Sequence, residues 1–169
     1  MRLRKLEKRD APLMLEWMQN KEVVCFLNTD FSKKRIEDCL DFIKAAETDD
    51  ENLHLAIVDD NDEYMGTVSL KNIDNRNKTA EFAITIRECA MGKGYSQEAM
   101  QLILQKGINE LRLRKIIWCV SPYNKRAIRF YDKNGYRRIE VPTYITGYDE
   151  NVARCFIWYG VNVKINENE

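Results

Sequence analysis

The sequence predicts an α/β protein of the mixed (α+β) kind, with a central sheet of about seven strands and helices on both faces. Three observations lead there. Apolar segments at 53–58 and 64–70 flank a turn, Asp59–Glu63, that is too short for a parallel crossover, so they form an antiparallel hairpin. Ile116–Val120 (IIWCV) is continuously apolar, as a strand covered on both faces must be. Between the two lies a long helical stretch, about 95–111, which supplies a strand–helix–strand connection.

The elements follow in order. Arg2–Leu6 alternates as a first strand and ends at Asp10, a residue suited to N-cap a helix through Trp17 and Met18. Ser32 opens a second helix, whose Ile36, Cys39, Leu40 and Ile43 recur at helical spacing to form an apolar stripe. After the hairpin, Thr79–Ile86 adds a third meander strand. Gly92-Lys93-Gly94 leads into the long helix, with Tyr95, Ala99, Leu102 and Ile103 on one face. Asn124–Asn134 is helical and stops at Gly135. Arg137–Val141 and Cys155–Val163 are closing strands, and the polar segment Pro142–Asn151 loops between them.

Composition narrows the function classes. The 169 residues form one domain, 1–169, large enough to bury a core without disulfides or metals. Lys plus Arg and Asp plus Glu number 27 each, so bulk charge does not favour nucleic acid as a partner. No apolar run reaches the ~18 residues of a membrane span, and the N-terminus lacks the apolar core of a signal peptide. Five scattered cysteines without a C-x-x-C pair fit reduced thiols in a cytoplasmic protein. The one histidine, His54, cannot build a multi-histidine metal site, and no metal is expected. It lies in an apparent strand, where packing is a better account of it than catalysis.

Two segments carry chemistry. In Ile84-Thr85-Ile86-Arg87-Glu88-Cys89-Ala90-Met91-Gly92-Lys93-Gly94-Tyr95-Ser96, a strand ends and a helix opens behind two glycines. Glycines there permit positive φ, and the free N–H groups of the first helical turn, with the helix dipole, suit a pyrophosphate. The loop is neither a Walker A nor a G-x-G-x-x-G fingerprint, since Gln97 stands where the third glycine belongs. The second segment is Asn124-Lys125-Arg126-Ala127-Ile128-Arg129-Phe130-Tyr131-Asp132-Lys133-Asn134-Gly135-Tyr136. Asn124, Ala127 and Tyr131 share one helical face, with a small residue in the middle and a phenol at the end. Taken alone, both segments also read as ordinary structure: a glycine-bearing loop and a capped, packed helix.

Together the segments resemble motifs A and B of the GNAT (GCN5-related) N-acetyltransferase superfamily, closely over residues 79–136 and more loosely along the chain. The fuller pattern is similar to the branch of ribosomal-protein N-terminal, spermidine and amino-sugar acetyltransferases. One position departs: Cys89 stands where the family often carries Gln or Arg. The resemblance implies a sheet splayed between the fourth and fifth strands, with a bulge in the strand ending Ile84–Ile86. It implies acetyl-CoA as cosubstrate. Ile84, Thr85 and Ile86 would line the pantetheine, and Met91, Gly92, Lys93, Gly94, Tyr95 and Ser96 would hold the pyrophosphate. Asn124, Ala127 and Phe130 would line the arm, Lys133 would reach the adenosine phosphates, and Tyr131 would protonate the departing thiolate.

The acceptor implied is a primary amine attacking directly, on an amino sugar, a polyamine or a protein N-terminus. An alkylamine is mostly protonated at neutral pH, so a base must act on it. Glu81 is the candidate, because alternation places Thr79, Glu81, Ala83 and Thr85 opposite Phe82, Ile84 and Ile86. Asp30, Tyr144 and Tyr148 are reserves in loops expected to face the acceptor, and Asn28-Thr29-Asp30 suits sugar hydroxyls. The alternative class is a non-catalytic acyl-CoA-binding sensor, against which Tyr131 argues. A homodimer is compatible with either.

Overall fold

The computed structural model describes residues 1–27, 29–142 and 149–163. The strands are β1 (Arg2–Lys5), β2 (Leu53–Val58), β3 (Tyr64–Asp74), β4 (Thr79–Ile86), β5 (Lys115–Val120), β6 (Arg137–Ile139) and β7 (Ile157–Asn162). They form one sheet in the order β1-β2-β3-β4-β5-β7-β6. Neighbours are antiparallel except β4 and β5, which run parallel, as a strand–helix–strand crossover requires. The helices are α1 (Ala11–Met18), α2 (Lys21–Val24), α3 (Ile36–Ala46), α4 (Tyr95–Asn109), α5 (Lys125–Lys133) and α6 (Glu150–Ala153). The expected mixed sheet with helices on both faces is what forms.

Side-chain alternation along the strands divides the core in two. On one face, Val68, Leu70, Ala80, Phe82, Ile116 and Trp118 meet Ala99, Met100 and Ile103 of α4 and Ile128 and Tyr131 of α5. On the other, Ala56, Val58 and Tyr64 meet Met14 and Trp17 of α1 and Cys39 and Ile43 of α3. Tyr64 is completely interior, and its hydroxyl is satisfied twice, by Trp17 Nε1 at 3.0 Å and Thr67 Oγ1 at 2.6 Å. Two predicted stripes are narrower than expected: Leu40 and Leu102 face outward, each 37% exposed.

Several expectations need correction. The bulge does not fall in β4, whose pairing with β3 is unbroken from Gly66↔Ile86 to Lys71↔Glu81; the register shifts instead between Lys71 and Asp74 of β3. Asn72 occupies that shift with φ 50°, a left-handed conformation Asn tolerates better than most residues. Asp10 stands before α1 without capping it through its side chain. Its carboxylate accepts instead from Glu7 N–H at 2.8 Å and from both terminal nitrogens of Arg4, at 2.7 and 2.8 Å. The second helix starts at Ile36 and not at Ser32, with Asp38 accepting from the Arg35 N–H. Asn28, Tyr144 and Tyr148 lie outside the described residues, as does most of the Pro142–Asn151 loop.

Candidate active site

The cleft originates where the parallel ladder stops. β4 and β5 pair at Thr79↔Lys115, Ala80↔Ile116 and Glu81↔Ile117, and no further. Beyond Glu81, β4 continues to Ile86 while pairing with β3 alone, and β5 continues to Val120 while pairing with β7 alone. The two strands therefore diverge as a V, the splay expected between the fourth and fifth strands, without the help of a bulge. Gly66 keeps β4 on the β3 side: a Cβ there would sit 2.3 Å from the Thr85 carbonyl oxygen. Ile84, Thr85 and Ile86 lie along the free edge, where an extended ligand can be added like a strand.

At the open end of the V, β4 gives way to the glycine loop. Gly92 and Gly94 have φ of 74° and 88°, and neither has an atom within 4 Å of where a Cβ would be. Backbone conformation, not lack of space, is what requires glycine there. Gly94 is the N-cap of α4. Among the described residues, the N–H groups of Gly92, Lys93, Gly94, Tyr95 and Ser96 meet no backbone acceptor, so an anion can use them with the helix dipole. Lys93 is exposed and Met91, Tyr95 and Ser96 are half-buried. Arg126, at the start of α5, reaches across the mouth to put Nη1 2.7 Å from Met91 Sδ, which brings the two sequence segments together.

Asn124 caps α5: its Oδ1 accepts from the Ala127 N–H at 3.1 Å. Ala127 and Phe130 are partly buried against the core. Tyr131 is buried, with its ring 5.0 Å from Tyr159, 5.5 Å from Trp118 and 5.3 Å from Phe130. No described residue hydrogen-bonds its hydroxyl, and burial raises its pKa well above the usual phenol value. It therefore holds its proton at any physiological pH and can act as an acid. Asp132 fastens this helix to β7 and β6, accepting from Tyr159 Oη at 2.9 Å and Arg138 Nη2 at 2.6 Å. Lys133 is exposed in the last turn, where it complements the helix dipole.

Glu81 occupies the last paired position of β4, on the face opposite Phe82 and Tyr131. It is only 8% exposed. Burial raises its pKa, opposed by a hydrogen bond from the Asn72 side chain and by the charge of Lys71. An acid and a base candidate thus flank the vertex of the V from opposite faces of the sheet. Asn72 falls within the looser resemblance along the chain but was given no role, because its influence on Glu81 acts across strands. Arg87 was also unassigned. It is buried at the end of β4, donates to the Tyr64 carbonyl at 2.9 Å, and pairs with Glu16 at 3.0 Å and Glu63 at 2.7 Å.

The remaining candidates are structural or peripheral. His54 Nδ1 lies 2.7 Å from Ser69 Oγ and its ring tilts on Phe42, 4.7 Å between centroids; burial lowers its pKa. Asp30 is exposed and accepts from the Ser32 N–H at 2.9 Å. All five cysteines are free thiols. Among the described residues, no group of three or more His, Cys, Asp and Glu could hold a metal ion, and no helix is long and apolar enough to cross a membrane.

Comparison with known proteins identifies the fold and the family. An uncharacterised N-acetyltransferase of Bacillus licheniformis is 29% identical over 141 residues, covering 80% of this chain and 78% of the relative. The spermidine N(1)-acetyltransferase of Escherichia coli K12 is 28% identical over 125 residues, 69% of this chain and 67% of the relative. Among solved structures, spermidine N-acetyltransferase from Vibrio cholerae, in complex with CoA and spermine, superposes with a TM-score of 0.76 at 20% identity. It covers 94% of this chain and 92% of that one. A dodecameric structure of the same V. cholerae enzyme in an intermediate state gives 0.71 at 20% identity, covering 99% and 98%. Residues 1–137 match the family described as Acetyltransferase (GNAT) domain, and the chain belongs to that family.

Proposed function

We propose that this protein is a one-domain, acetyl-CoA-dependent N-acetyltransferase whose acceptor is a primary amine of the polyamine class. The observation that carries the reading is the placement of Tyr131 and Glu81 on opposite faces at the vertex of an open V. The polyamine preference rests on the spermidine acetyltransferases among its relatives. An amino sugar and a protein N-terminus are the competing acceptors.

The cleft fits the cosubstrate on two counts: an unpaired edge along β4, and a glycine-formed helix start with free N–H groups. Acetyl-CoA, when bound, supplies an activated acetyl thioester. Ile84, Thr85 and Ile86 line its arm from the strand edge, and residues 91–96 hold its pyrophosphate. Asn124, Ala127 and Phe130 close the other wall, while Lys133 and Lys93 add positive charge near the phosphates. Glu81 takes a proton from the incoming ammonium, directly or through water, leaving the amine able to attack. Burial raises its pKa, which makes it a stronger base than an exposed carboxylate. Tyr131 donates its proton to the departing sulfur. No covalent link to the protein is needed.

An acceptor screen tests the reading. With acetyl-CoA and thiol detection, spermidine or spermine should give a higher kcat/KM than glucosamine or a short peptide with a free N-terminus. Preference for either of those replaces the acceptor class, and tight CoA binding without turnover on any amine favours the sensor. We place the enzyme in the cytoplasm, where acetyl-CoA is available, and infer a homo-oligomer, as in the dodecameric structure of the V. cholerae enzyme.

A further inference from the structure

Arg87, the residue after β4, is only 7% exposed, and every nitrogen of its guanidinium is engaged. Nε and Nη2 each lie 3.0 Å from an oxygen of Glu16 on α1. Nη1 donates to Glu63 Oε1 at 2.7 Å and to the Tyr64 carbonyl at 2.9 Å, where β3 begins. The backbone N–H adds a bond to the Met65 carbonyl at 2.9 Å. Glu16 and Glu63 are both half exposed, so the network is built around the cation. Apolar side chains of the same volume would serve stability as well. What the guanidinium adds is direction, because both bonds to Glu16 form only when the two forks are aligned.

The glycine loop begins on this anchor. The Ala90 N–H donates to the Arg87 carbonyl at 3.0 Å, closing the single turn Glu88–Ala90. The Met91 N–H donates to the Glu88 carbonyl at 3.1 Å, and Gly92 follows. Glu88 is held as well: its Oε2 accepts from Asn20 Nδ2 at 2.6 Å, and Asn20 also caps α2. Two consecutive residues thus fasten the entrance of the loop to the α1–α2 side of the molecule. The loop beyond them has little of its own to hold it. Among the described residues Lys93 makes no side-chain hydrogen bond or ion pair, and nothing lies within 4 Å of a Cβ position at Gly92 or Gly94. Where its free N–H groups point is therefore set at its two ends. Residues 87–88 fix one end, and α4, locked into the core through Ala99, Met100 and Ile103, fixes the other.

We propose that Arg87 is a positioning residue for the cosubstrate: it fixes the direction in which β4 hands the chain to the glycine loop, and with it the aim of the N–H groups that receive the pyrophosphate. This role rests on the acetyl-CoA reading above. Arg87 itself does not touch the ligand, since its nitrogens are engaged by Glu16, Glu63 and Tyr64. Donors held in place before the ligand arrives need no ordering when it binds, which is affinity gained without a further contact. The benefit falls on the phosphate end of the ligand alone. The pantetheine arm meets the edge of β4 at Ile84–Ile86, which β3 holds through its own ladder up to Gly66↔Ile86.

CoA and pantetheine, which lacks the pyrophosphate, separate this role from general stability. On the intact protein, CoA is titrated by calorimetry and pantetheine by ligand-detected NMR. Arg87→Lys keeps the charge and loses the fork; it should raise the Kd of CoA about tenfold and leave that of pantetheine unchanged. In turnover the same variant should raise KM for acetyl-CoA with kcat unaltered. Asn20→Ala, which cuts the second tie, should give a smaller rise for CoA, about threefold. If Arg87→Lys does not fold, Glu16→Gln replaces it, because that side chain is half exposed and its loss of charge loosens the same fork. Equal losses for CoA and pantetheine would make Arg87 a purely structural residue, and no loss for CoA would remove it from cosubstrate binding. Either result overturns the role and leaves the acetyl-CoA reading standing. If the wild-type protein does not bind CoA, that reading falls and takes the role of Arg87 with it.

Discussion

β4 has two neighbours and treats them differently. Toward β3 it pairs along its whole length, and the backbones approach so closely at Gly66 that no side chain fits. Toward β5 it pairs only from Thr79 to Glu81 and then leaves a gap. Both seams belong to one sheet, and both strands that flank β4 are rich in apolar residues, so composition does not distinguish them. What distinguishes them is where the chain goes next. β3 turns straight back into β4 through 75–78, whereas β4 must exit into the glycine loop and α4 before β5 begins. A site forms at the seam the chain leaves and returns to, because its strand ends are free to part.

The tight seam breaks first. Replacing Gly66 with Ala should cost about 3 kcal/mol of stability, since the new methyl meets backbone that cannot rotate away. Denaturant titration would read this, and CoA affinity should fall with it because β4 is displaced at Thr85 and Ile86. Unchanged stability would mean that the close approach is not needed to hold β4 away from β5.

At the open seam the effect should be on rate. Tyr131→Phe keeps the ring among Trp118 and Tyr159 and removes the proton donor. Turnover should drop about a hundredfold, within the usual range for a general acid, while CoA binding by calorimetry stays within about twofold, less than 0.5 kcal/mol. A parallel loss of affinity would mark the hydroxyl as a binding group only.

The smallest effect sharpens the comparison at the point where the seams meet. Glu81 has a raised pKa in the folded state, so the fold favours its protonated form. Stability from this residue is full below the ordinary carboxylate pKa and is lost as pH rises through the raised value. Glu81→Gln should therefore melt slightly higher than wild type at pH 8 and alike at low pH, while losing activity. A lower melting temperature at pH 8 would show that the ionised carboxylate is stabilised by Asn72 and Lys71 more than burial costs it.

Much of this was readable in the sequence where the signal was local. The apolar run of Ile116–Val120, the glycines before Tyr95 and the cap at Asn124 each specify their element through neighbours a few residues away. Glu81 could be assigned to a face, since alternation decides faces. Its burial and its bond to Asn72 could not, because they depend on β3 pairing with β4 through a shifted register. Asp10 misled for the same reason: an aspartate before a helix is a capping signal, but Arg4 on a different element claims its carboxylate.

The tie between Asp132 and Tyr159 has a mechanical meaning. Through it, the helix bearing Tyr131 is tied to β7 and so to β5, while the glycine loop continues from β4. The walls of the cleft are thus two plates joined along a short hinge at Thr79–Glu81. Beyond that ladder, the separation of Tyr131 from the glycine loop is set by side-chain packing across the V, Phe82 on Trp118 and Arg126 on Met91, and not by backbone pairing.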